Sequence, residues 1–369
     1  MTSRFIRNVL LKGLLLFLVF NFVWVGVDTD ALGRVSLYNH LWRGRERFPF
    51  GENPAEAYNL SLFNFEAMYT SHKLDGSSKS ADEFRVIVIG DSSTWGTLLR
   101  PQQTLAGLLD AANLRSADGR KVRVYNLGYP TLSLVKDLMV LDGAMRYSPD
   151  LILWPLTLES FPRGRQAESP IVANNPERLN ELIERYDLDI TPAAGSASLW
   201  QRTLIGQRRE LADLLRLQVY GILWSATGID QAYPPSYATA ARDLEADENF
   251  HNWAPPAFPE GWLALDLIDA GVKIAGDVPL VIINEPIMIS SGANSDIRYN
   301  FYYPRWAFDL YRLQMESASA ANGWYYLDLW NLVSEEEFTN SAIHLSPAGE
   351  EILALEIIES GIIQSLGSK

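Results

Sequence analysis

Hydrophobic positions along the chain fall into two regimes. The first is one long run from Val9 to Val27, interrupted by the charge of Lys12 and the amide of Asn21. At about 1.5 Å per helical residue this run is roughly one bilayer span. Arg4 and Arg7 precede it, and Lys12 lies near enough to its start to snorkel. Asp28 and Asp30 follow it, so the charge asymmetry predicts a cytoplasmic N-terminus and a body on the far side of the membrane. A cleaved signal peptide shares the basic lead and apolar core. Its h-region would be shorter, and VGVDTDALG offers a poor small-x-small cleavage site, so the expectation is an uncleaved anchor.

The second regime begins after residue 81. Short apolar runs, RVIVIG (85–90), VRVYNLG (122–128), DLILWPL (150–156), VPLVIINEP (278–286) and WYYLDLW (324–330), read as strands buried on both faces. Helical patterns at 104–114, 133–147, 303–321 and 347–358 lie between and after them. Strands alternating with helices predict an α/β fold, a doubly wound, mainly parallel sheet in a three-layer sandwich. The alternation fails between 161 and 261, where two helical stretches and Pro-rich aromatic loops carry no strand pattern. The expected order is therefore a basic cytoplasmic tail (1–8), a transmembrane anchor (9–27), a neck (28–81), a core (82–160 and 262–366) and a helical insertion (161–261) serving as lid or partner surface. The ILW-containing helix of that insertion could lie on a membrane, although its scattered Arg and Glu argue against a second span.

Composition narrows the chemistry. Across 369 residues the formal net charge is −14, which speaks against a nucleic-acid surface. There is no cysteine, so disulfides, thiolate metal sites and Cys nucleophiles are excluded. The four histidines (His40, His72, His251 and His344) show no i, i+4 pair and no metal-ligand motif, so neither a metal nor a cofactor is expected.

Two stretches carry candidate chemistry. GDSST places Ser92 at the end of the first strand, where a tight turn can hold a hydroxyl at the sheet rim, with Asp91 capping or bracing that turn. IHLSPAGEEIL places His344 just before a helix whose start is marked by Ser346 and Pro347. A serine hydroxyl needs an adjacent base, and His344 is the candidate. SDIRYNFYYPRW (295–306) reads either as a surface that grips a carbohydrate or a partner, or as aromatic core packing.

GDSST and IHLSPAGEEIL together resemble the SGNH, or GDSL-type, hydrolase family over 82–160 and 262–366. The resemblance implies a Ser nucleophile at Ser92, a His base at His344 and an oxyanion site built from the backbone N–H of Ser92 and of a second-block residue. In NLGYPTLS, Asn126 and Gly128 match that block, and Thr131 stands where the donating Gly is expected. In the third block Glu159 stands at the position of a donating Asn, and an ionised carboxylate can only accept. The family's Asp three residues before the His is Ser341 here, with the uncharged Asn340 beside it. A Ser–His dyad suffices if a backbone carbonyl orients the ring, and Glu159 or Glu285 at the strand exits are the carboxylates that could approach it. The resemblance therefore implies an extracytoplasmic esterase or O-acyltransferase acting on envelope glycan or lipid esters, alone or beside a membrane acyltransferase. Its altered blocks leave two other readings, a glycan-binding relative without turnover and a structural subunit of a membrane assembly.

Overall fold

The structure is a computed structural model and describes residues 2–37, 41, 61–70, 72–192, 198–228, 233 and 237–366. Residues 38–40 (with His40), 42–60 and 71 of the expected neck and part of the Pro-rich loop at 232–238 lie outside these residues.

Five parallel strands form one sheet: β1 (Glu83–Val88), β2 (Lys121–Asn126), β3 (Leu151–Leu156), β4 (Leu280–Asn284) and β5 (Tyr325–Asp328), in the order β2-β1-β3-β4-β5. Pleating divides the core into two layers. Val86 and Val88 of β1 face the layer of helices α2 (Leu105–Ala111) and α8 (Pro347–Glu359), together with Leu109, Leu353 and Ile357. Ile87 and Ile89 face the opposite layer of α3 (Leu134–Ala144), α6 (Asp266–Ala275) and α7 (Arg305–Asn322), with Leu138, Ile268 and Phe308. This is the doubly wound three-layer arrangement the alternation predicts. Its strand order reverses between β1 and β3, so their C-terminal ends open the crevice where such sheets place ligands.

The structure differs from the pattern reading in three places. β5 is an edge strand whose residues are exposed or half-buried, because only β4 flanks it. Helix α6 is an added element; Gly271 on it meets the Trp154 ring so closely that a Cβ would lie 2.6 Å from the ring. The second helical stretch of the insertion, WQRTLIGQRRELADLLRLQVYGILW from Trp200, becomes a helix only at Arg208. Gly206 is why the chain can turn there: a Cβ would sit 2.4 Å from the carbonyl oxygens of Trp200 and Gln201.

Helix α1 (Ser3–Val23), continued by a 3-10 turn at Trp24–Gly26, is the one helix among the described residues long and apolar enough to cross a membrane. Asn21, near its C-terminal end, is buried: Oδ1 accepts the N–H of Ile205 at 2.9 Å. Trp24 Nε1 donates to Gln207 Oε1 at 2.7 Å. Residues 161–261 contribute α4 (Pro176–Tyr186) and α5 (Arg208–Thr227) and no strand among those described.

Candidate active site

The first candidate side chain stands at the end of β1. A one-turn helix, Ser92–Trp95, starts there, and Asp91 caps it by accepting the Ser93 N–H at 2.7 Å. Two glycines let the backbones close around this turn. A Cβ on Gly90 would lie 2.3 Å from Thr94 Oγ1, and one on Gly128 would lie 2.4 Å from the Trp95 amide nitrogen. Asn126 adds a brace: its Nδ2 donates to Thr94 O at 2.6 Å, while its Oδ1 accepts Gly128 N–H at 2.8 Å. Asn126 and Gly128 thus hold the turn that presents Ser92.

His344 comes from the other end of the chain. Its loop is closed by a bridge between Phe338 and Leu345 and by Thr339 N–H donating to His344 O at 2.8 Å. Ser346 caps α8 by accepting Gly349 N–H at 3.1 Å, which fixes where the loop ends. The imidazole Nε2 lies 2.8 Å from Ser92 Oγ, and Nδ1 lies 2.8 Å from Asn340 Oδ1. An amide oxygen only accepts, so Nδ1 carries the proton and the Nε2 lone pair faces the serine hydroxyl. Burial pushes the His344 pKa down to about 4, so the ring is neutral at ordinary pH.

The side chain orienting His344 is therefore Asn340. Ser341 is buried and has no hydrogen bond to the ring. Glu159 and Glu285 do not approach it either. Glu159 is held by Arg165 and by His251, whose Nε2 lies 2.8 Å from Glu159 Oε2. Glu285, at the exit of β4, accepts from Ser93 Oγ. Each is committed to another partner, which spacing along the sequence does not reveal.

The expected oxyanion donors differ in availability. The Ser92 N–H opens the one-turn helix and has no partner among the described residues. The Thr131 N–H is engaged at 2.7 Å by Tyr129 O across a three-residue turn.

Beneath Ser92 lies a cluster that residue patterning does not single out. Lys136 on α3 is fully buried, and its ammonium donates to Gly90 O at 2.6 Å, Tyr129 O at 3.0 Å and Asp137 Oδ1 at 2.5 Å. It ties the end of β1 to the loop after β2. Asp137 also accepts Trp154 Nε1–H at 3.1 Å. Burial raises Asp91 to about 6 against the pull of Lys136, and burial followed by the charge of Asp91 raises Glu285 well above the usual carboxyl range. The only sequence signal for this cluster is a Lys-Asp pair within an otherwise apolar helical stretch. Among the described residues no group of three or more ionisable ligands could hold a metal ion.

No protein-family model and no curated protein matches the chain. Similar solved structures include a lipolytic G-D-S-L family protein from Veillonella parvula, at 10% identity over 74% of this chain and 96% of that chain, with a TM-score of 0.35. A lipase/acylhydrolase from Enterococcus faecalis is similar at 15% identity, 75% and 94% coverage and a TM-score of 0.36. A carbohydrate acetylesterase from Sinorhizobium meliloti is similar at 15% identity, 75% and 98% coverage and a TM-score of 0.34. The solved structures that this chain resembles are thus lipolytic GDSL-type proteins and esterases.

Proposed function

We propose that the chain is a membrane-tethered serine esterase or O-acyltransferase of the SGNH type, working outside the cytoplasm. The observation that carries this is the relay Ser92 Oγ–His344 Nε2–Asn340, with 2.8 Å at each link. Ser92 Oγ attacks the acyl carbon as its proton passes to His344 Nε2. The adduct then collapses, and the imidazolium returns the proton to the departing alcohol oxygen, leaving acyl-Ser92. Water or an acceptor hydroxyl repeats the sequence in reverse, giving hydrolysis or transfer. The Ser92 N–H is the first oxyanion donor. Thr131 N–H becomes the second when it releases the Tyr129 carbonyl. Asn340 fixes the tautomer without offering the imidazolium a counter-charge.

A tether suits a substrate that does not diffuse away. O-acyl groups on cell-envelope polysaccharide, or lipid esters, are the substrates this reading favours, with a membrane acyltransferase as a fitting partner. The engaged Thr131 N–H favours a second reading, glycan binding without turnover.

Fluorophosphonate labelling of the detergent-extracted full chain decides between them. Labelling is expected for wild type and lost in Ser92→Ala and His344→Ala at unchanged melting temperature. A folded wild type that resists the probe supports binding without turnover and overturns the esterase reading.

A further inference from the structure

The insertion carries an apolar surface that the reaction does not use. Helix α5 packs one face on the protein through Asp213, Leu217, Gly221 and Trp224. On the opposite face Leu215, Val219 and Leu223 recur every fourth residue and are 64%, 50% and 53% exposed. Gln218 clamps the chain after the anchor alongside this helix: its Nε2 donates to Val35 O and its Oε1 accepts Leu37 N–H, each at 2.8 Å. Val35 is itself 56% exposed. Just before α5, Leu199 and Trp200 are largely exposed as well.

The anchor fixes the depth of this surface. The span from Val9 to Val27 rises about 28 Å, one hydrocarbon thickness, so Asn21 and Trp24 lie about 9 and 5 Å inside its far boundary. The groups bonded to them are Ile205 N–H and Gln207 Oε1. The 199–207 segment is therefore held at the boundary between acyl chains and headgroups by the span itself, and α5 starts one residue later. Arg208 and Arg209 open that helix and bring two positive charges to the same end of it, the residue type that suits a phosphate-bearing surface.

We propose that Leu199, Trp200 and the Leu215–Val219–Leu223 face of α5 form a second membrane contact, lying in the boundary between headgroups and acyl chains without crossing it. The inference rests on the tethering reading and adds that the ectodomain lies down on the bilayer through its insertion.

The chain has no cysteine, so single-Cys variants can be labelled cleanly with a bimane fluorophore in the full chain reconstituted in phospholipid nanodiscs. Labels at Val219→Cys and Leu223→Cys should lose emission with brominated lipid, as should one at Phe17→Cys within the span. A label at Leu355→Cys, an equally exposed apolar position on α8 in the opposite layer, should lose emission only to aqueous iodide. If 219 and 223 respond to iodide and not to brominated lipid, that face meets water and the inference fails. Shielding from both quenchers means a second copy of the chain covers it, which also overturns the inference. In both cases a lipid-quenched label at 17 leaves the tether standing, whereas a label at 17 that lipid does not quench removes the tether itself.

Discussion

Asn340 does part of what a carboxylate does beside a catalytic histidine. It holds Nδ1–H in place, but a neutral amide does not stabilise the imidazolium. Removing it in Asn340→Ala should lower the fluorophosphonate labelling rate roughly 10- to 100-fold. Asn340→Asp should raise the His344 pKa, because an adjacent anion favours the protonated ring. The acid limb of the labelling rate, expected near pH 4 in wild type, should then move toward the ordinary histidine range. A limb that stays in place would remove Asn340 from the relay. Lys136 admits an equally direct test. Lys136→Met strands Asp137 and two carbonyls in the core, and losing one partner of a buried ion pair costs about 3–5 kcal/mol. Urea unfolding of the variant should show a fall of that order.

At the scale of elements, the Ser92–Trp95 turn is held from outside itself by Gly128 and Asn126. Gly128→Ala pushes a methyl group into the Trp95 backbone, so labelling should fall together with a melting temperature several degrees lower. Activity lost at an unchanged melting temperature would mean that the backbone yields there without strain. β1, β3 and β4 were legible in the sequence because burial on both faces leaves continuous apolar runs. β5 carries a similar run for a different reason, since its aromatic residues pack only partly. Helix α6 escaped notice because its start has no capping side chain and a glycine interrupts its apolar face. Ser92 and His344 were legible because each adjoins a local signal, a strand end or a helix cap. The role of Lys136, the partners of Glu159 and Glu285, and the occupied Thr131 amide were not legible. They depend on residues brought near only by the fold.

For the whole molecule, buried ionisable groups set the response to pH. His344 has a folded pKa below its unfolded value, so stability falls as pH drops from about 6.5 toward 4 and is unaffected by this group above that range. Buried carboxyls act in the other direction. Glu350, buried in α8 with Oε2 unpartnered, is raised to about 8, and Glu285 is also raised. Their contribution is present below the unfolded carboxyl pKa and is lost as pH rises through the folded value. The melting temperature should therefore decline between pH 6.5 and 8.5, and Glu350→Gln should flatten the decline. An unchanged slope in that variant would assign the decline to other groups.

Ser92 and His344 stand 252 positions apart, and the strand that carries one is finished long before the loop that carries the other is made. On the proposed mechanism the hydroxyl is made long before its base, and it has no proton acceptor until the loop at His344 has docked beside it. A chain halted short of residue 340 would fold much of its sheet yet have no working nucleophile. On the proposed mechanism, the far placement of the base keeps the hydroxyl unreactive until the end of the chain has been made and folded.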